Sequence, residues 1–260
     1  MPARHPTLLA VASGLVLLLA GVSFAETRLG TPGPDVLEGT PEPDQLYGED
    51  GDDRLTGFES NDYLEAGPGN DQVAGGPGDD LTIGGTGDDR IGASGGADVV
   101  YAGAGNDEVL GEPGEDVLFG QVGDDRVYGG AGNDWLYAGI GNDFADGGSG
   151  NDRISADAGA TTLRGGTGND RILATGASFV IEARSGNDRV RTAGGDDQVD
   201  GVGGSDRIAT GAGNDQIDVR DGERDVVICG PGDDLALADR IDRLRGCERL
   251  GPPPEGSRSR

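Results

Sequence analysis

An aspartate returns every nine residues, at Asp35, Asp44, Asp53, Asp62, Asp71, Asp80, Asp89, Asp98, Asp107, Asp116, Asp125, Asp134, Asp143 and Asp152, without a slip. The series continues in the same phase through Asp170, Asp188, Asp197, Asp206 and Asp215, and the slots at Thr161 and Phe179 keep the register without the carboxylate. Two residues after each marker stands a mostly aliphatic residue, such as Leu46, Ile91, Leu118, Ile154 or Ile217, with Thr82 and Ala145 the weak positions. Glycines crowd in before it: residues 147–155 read GGSGNDRIS and residues 165–173 read GGTGNDRIL. So short and strict a period makes each unit a small element that buries its apolar residue only by stacking on its neighbours. An ordinary globular core is excluded, because 34% hydrophobic and 4% aromatic residues beside 52 glycines leave too few large apolar side chains to build one.

The unit matches G-G-x-G-x-D-x-U-x and resembles the RTX, or hemolysin-type, calcium-binding nonapeptide family from about residue 30 to 237. The resemblance implies an all-β fold, a parallel β-roll (a right-handed β-solenoid) with two nonapeptides per turn and multiple calcium ions (Ca2+) between turns. A formal net charge of −28 would on composition alone indicate a self-repelling, disordered chain, but random acidic tails carry no nine-residue period. The glycine two residues before the marker suits a tight turn of positive φ, and the three residues after the turn form a minimal strand with the middle one inward.

A hard cation takes six to eight oxygens at about 2.3–2.6 Å. Glycine carbonyls plus one carboxylate per repeat, from residues eighteen apart, supply them in the family's arrangement. The implied metal residues are Asp53, Asp62, Asp71, Asp80, Asp89, Asp98, Asp107, Asp116, Asp125, Asp134, Asp143, Asp152, Asp170, Asp188, Asp197, Asp206 and Asp215, each ion bridging markers such as Asp134 and Asp152. The residue before the marker, as at Asn133, Asn151 or Asp88, is expected to shape the turn rather than ligate. Acid is expected to unfold the chain, since protonated aspartates do not ligate.

In a roll with two repeats per turn, Thr161 and Phe179 fall on one edge, where sites between Asp143 and Asp197 should be lost; the other edge stays complete. After Asp215 the register slips to Asp225 and then Asp234. Cys229 and Cys247 are eighteen apart, one turn of such a roll, which places them near the 4.8 Å layer spacing and within reach of a disulfide. The expected organisation is a signal peptide at 1–25, atypical proline-rich repeats or a cap at 26–50, the roll at 51–228, a disulfide-stapled cap at 229–250 and a disordered tail at 251–260. The closing segment resembles that of exported actinobacterial RTX-like proteins.

Arg4 and His5 precede an apolar run at 8–20, and Ser23, Phe24 and Ala25 offer small residues for cleavage. Export to the extracellular space follows as an expectation, with no membrane span in the mature chain. His5 is the only histidine. A mature chain without imidazole has no Ser-His or Cys-His pair, and the calcium pattern accounts for the carboxylate pairs, so no enzyme is expected. The expected role is a calcium-folded structural or adhesive module, with a polysaccharide-binding or polysaccharide-modifying solenoid as the alternative.

The outward rows differ between the two faces. Leu81, Val99, Val117 and Trp135, with Ile83, Tyr101, Phe119 and Tyr137, form an apolar patch, and the first row continues as Arg153, Arg171, Arg189 and Arg207. Such side chains either pack on one another or mark a site for a cell-surface or acidic polysaccharide ligand. Nucleic acid is not expected on so acidic a chain.

Overall fold

The computed structural model describes residues 25–176, 178–247 and 249–250. The expected signal peptide, apart from Ala25, and the expected tail at 251–260 lie outside the described residues.

Strands run from β1 (Glu26–Leu29) to β26 (Arg249–Leu250), and no helix occurs among the described residues. Odd-numbered strands form one 13-stranded sheet and even-numbered strands another, every neighbouring pair parallel. Consecutive strands therefore alternate between sheets, and each nonapeptide supplies half a turn of the expected parallel β-roll. Partners from β1 to β22 (Gln216–Val219) lie eighteen residues apart, as in Leu118 opposite Leu136 and Val127 opposite Ala145, and the interval changes only in the last turns, where Arg207 faces Val226 and Val226 faces Arg243.

A thin core fills the space between the sheets. The aliphatic residues two after each marker are buried, among them Leu46, Leu64, Ile91, Leu136 and Ile172, with small residues such as Ala66, Ala102, Ala138 and Ala174 beside them. The strands are longer than the expected three residues: β5 (Tyr63–Pro68) through β14 (Phe144–Ser149) have six each. Pairing runs on into the glycines, as in Gly148 opposite Gly166, because without a Cβ successive turns approach closely enough to keep the ladder. The proline-rich residues from 26 on join the same ladder, Glu26 pairing with Asp44. At the other end Cys229 and Cys247 are disulfide-bonded, with Cα atoms 5.1 Å apart.

Outward aromatic residues pack on each other. Tyr101 and Phe119 stack at 4.8 Å between ring centroids, Phe119 and Tyr137 at 4.7 Å, and the Arg153 guanidinium covers Trp135 at 4.4 Å. The faces of Phe119 are thus taken by its neighbours, which accounts for the apolar row as cross-strand packing.

Candidate metal centre

Each marker aspartate ends a turn with its side chain directed inward, and every one from Asp44 to Asp234 is buried. One oxygen is engaged. The Asp134 backbone N–H donates to Asp152 Oδ1 at 2.9 Å, Asp152 N–H to Asp170 Oδ1 at 2.9 Å, and Asp170 N–H to Asp188 Oδ1 at 2.7 Å. On this edge the relay is unbroken from Asp44 through Asp206 and Asp225 to Asp242. The second oxygen, Oδ2, is buried and has no hydrogen-bond partner at any of the seventeen sequence-assigned positions.

Two columns of half-satisfied buried carboxylates are costly unless something positive joins them. Burial pushes the carboxyls of Asp80, Asp89, Asp116, Asp125, Asp152 and Asp206 up to about 7, with the acids above and below adding to the rise and the donated backbone N–H opposing it. Burial, opposed by the donated N–H and helped by the acid one turn earlier, brings Asp62, Asp71 and Asp188 to about 6.

The turn glycines open space for further oxygens. A Cβ on Gly129 would stand 2.5 Å from Asp134 Oδ2 and 2.6 Å from the Gly147 carbonyl oxygen, and one on Gly165 would stand 2.6 Å from both Asp170 Oδ2 and the Ala183 carbonyl oxygen. At Gly129 and Gly165 the orphan carboxylate oxygen and a carbonyl of the next turn thus converge where the glycine has no Cβ, while alanine stands in the same place before Asp71, Asp98, Asp107, Asp143 and Asp188, whose Oδ2 atoms are unpartnered too. Gly148 and Gly150 have φ of 93° and 135°, and a Cβ on either would collide with the carbonyl of Gly130 or Gly132 below. No group of three acidic, imidazole or thiol side chains converges among the described residues. A cation held here takes much of its shell from backbone carbonyls, which suits an oxygen-seeking ion.

Both substituted slots lie on one edge. The Asp143 N–H donates to Thr161 Oγ1 at 3.2 Å, while the Thr161 hydroxyl donates to the Gly141 carbonyl, also at 3.2 Å. Phe179 is buried where a carboxylate would be, and its N–H reaches Asp197 Oδ1. A hydroxyl and a phenyl ring here replace the orphan oxygens.

The slipped markers, visible in the sequence but not assigned there to the metal, belong to the columns. Asp225 and Asp234 continue the columns at nineteen-residue steps and also carry unpartnered Oδ2 atoms. Asp242 follows Asp225 after seventeen, but its Oδ2 accepts the Asp239 N–H. At the first turn, Asp35 and Asp44 Oδ2 accept N–H and hydroxyl bonds from Thr31 and Thr40. Threonine in place of a turn glycine was the available signal for this closed end. The residue before each marker forms an exposed ladder, Asn151 donating to Asn133 Oδ1 from both N–H (2.8 Å) and Nδ2 (3.0 Å).

Stacked turns, a carboxylate per repeat and glycine-lined oxygen notches coincide with the comparison of the chain with known families. The model of the RTX calcium-binding nonapeptide repeat matches residues 29–57, 56–91, 83–118, 92–127, 110–145, 119–154, 155–176, 182–217 and 200–236. The chain belongs to the RTX repeat family. A search of curated proteins found no match. RTX repeats bind calcium, and the orphan Oδ2 atoms with their converging carbonyls fit that ion in charge, hardness and donor type.

Proposed function

We propose that the marker aspartates from Asp53 to Asp215, joined by Asp225 and Asp234, hold calcium between successive turns, and that calcium is what makes this chain fold. The unpartnered buried Oδ2 atoms carry this reading: without a cation the fold buries two columns of uncompensated charge. Calcium would neutralise them and bridge one turn to the next, while the Oδ1 relay keeps each carboxylate oriented. On the Thr161 and Phe179 edge the layers between Asp143 and Asp197 would stay empty.

The same reading makes the protein an exported, non-enzymatic rod with a structural or adhesive role outside the cell. The disulfide supports an oxidising compartment. The test is circular dichroism and calcium counting on one sample. In chelator the spectrum should be largely that of an unfolded chain, and millimolar-range calcium should restore β structure cooperatively. Identical spectra in both conditions would sink the calcium-folded reading.

A further inference from the structure

Arginine is placed differently on the two sheets. On the even-numbered sheet Arg90 lies opposite Glu108 and Arg164 opposite Glu182, both pairs forming salt bridges, and Arg54 lies between Val36 and Gln72, so arginines are not stacked on one another over consecutive turns. On the odd-numbered sheet Arg153, Arg171, Arg189 and Arg207 lie directly opposite one another in four consecutive turns. All four are exposed, and among the described residues none forms a salt bridge. Like charges directly opposite are destabilising. A chain of net charge −28 has carboxylates to spare for breaking up such a row, yet here the row is left to repel itself.

The neighbouring row adds donors. Asn151, Asn169 and Asn187 each stand two residues before an arginine of the row, exposed on the same turns. Their Oδ1 atoms are occupied: Asn151 Oδ1 accepts from both nitrogens of Asn169, and Asn169 Oδ1 from both nitrogens of Asn187. Each Nδ2 gives one hydrogen to this ladder and keeps the other. Guanidiniums and amides together make a strip that donates and scarcely accepts, one residue wide and repeating at about 4.8 Å.

We propose that this strip binds a linear acidic polysaccharide bearing a carboxylate on each sugar, the guanidiniums taking the carboxylates and the asparagine amides the hydroxyls. The proposal rests on the calcium-folded adhesive reading and names its partner. A thin polyanion with one charge per short repeat meets one arginine per turn, whereas duplex nucleic acid would press broad phosphate surfaces against the acidic flanks. A second copy of the chain is a poorer match. Its acids that stand opposite one another in consecutive turns, Glu182, Asp200 and Asp218, are largely taken, Glu182 by Arg164 and Arg184 and Asp218 by Arg220, and the exposed row on the other edge alternates Asp88, Asn106, Asp124, Asn142, with a charge only at every second turn.

The probe is an oligouronide too short to gel with calcium, titrated into the calcium-loaded protein. Binding should weaken with added salt, and R171Q/R189Q should weaken it about tenfold, as expected for two partly exposed charge contacts. R54Q/R126Q, on the even-numbered sheet, should bind as the parent does. Calcium content and circular dichroism should be the same in all three proteins, so loss of the fold or the metal, which would defeat the calcium reading, is distinguishable from loss of the ligand. The proposal fails if the folded, calcium-loaded parent does not bind the oligouronide, if R171Q/R189Q binds it equally, or if a neutral oligosaccharide binds as well. A dimer in sedimentation that R171Q/R189Q dissolves would make a second copy the occupant and overturn it too.

Discussion

Asp152 has two oxygens with different fates: Oδ1 is tied to the turn below by the Asp134 N–H, and Oδ2 faces a notch with nothing donated to it. This division determines the response to pH. Burial raises the folded marker carboxyls, Asp62 to about 6 and Asp152 to about 7, where unfolded ones lie near 3.9, so the metal-free fold takes up protons as it forms. Its stability is therefore fullest below about pH 4 and is lost as pH rises through 6 to 7. In chelator, β content followed by circular dichroism should increase on acidification from pH 8 to pH 5. With calcium present the proton competes with the ion, and acid should release it over the same window. Acid should therefore release the ion and leave the protonated, metal-free roll folded, against the expectation that acid unfolds the chain, and circular dichroism of the calcium-loaded protein taken from pH 8 to pH 5 decides between the two. Asp152→Asn keeps an Oδ1 acceptor for the Asp134 N–H and removes the charge. It should lower the number of bound calcium ions in equilibrium dialysis while making the chelated protein easier to fold.

Turns, more than strands, carry the constraint at the level of the element. Gly150→Ala meets both a φ of 135° and the Gly132 carbonyl, and should cost at least the ~1–3 kcal/mol of a strained backbone, read from denaturant midpoints in saturating calcium. Gly222→Ala is the control: φ is 88°, but nothing lies within 4 Å of the new methyl group, so only the backbone term remains. Phe179→Asp should remove about 3–5 kcal/mol of packing in chelator, regain part of it in calcium, and raise the calcium stoichiometry by refilling the broken edge. Much of this was legible in the sequence: the nine-residue phase marked the buried Leu and Ile column, and the two repeats per turn implied by the family resemblance gave the two sheets and the shared edge of Thr161 and Phe179. Asp225 and Asp234 were visible as a slipped continuation but were not assigned to the metal, and Asp242 escaped because a fixed period cannot follow a turn that gains a residue and then loses one. The unpaired state of Oδ2 was also out of reach, since it depends on where neighbouring carbonyls point.

Across the whole molecule, stability is a sum of contacts between adjacent turns, so damage should stay local unless calcium is removed everywhere. Reducing Cys229–Cys247 releases an eighteen-residue loop, worth about 3 kcal/mol on the chain-entropy account. Amide exchange should then quicken over 226–245 and hardly change over 99–149, and uniform loss of protection would contradict a modular rod. The pairing interval has a further consequence, which concerns parity. Because a half-turn is nine residues and a full turn eighteen, removing eighteen residues shortens the rod and returns every later side chain to its own sheet. Removing nine also heals the ladder, yet it sends everything downstream to the opposite side. The arginines would then stand in line with Arg90, Glu108 and Arg126 instead of Trp135. The nineteen-residue step to Asp225 and the seventeen-residue step to Asp242 cancel in this count. Lengthening or trimming such a chain is thus free in pairs of repeats, while an odd number turns one face of the protein into the other.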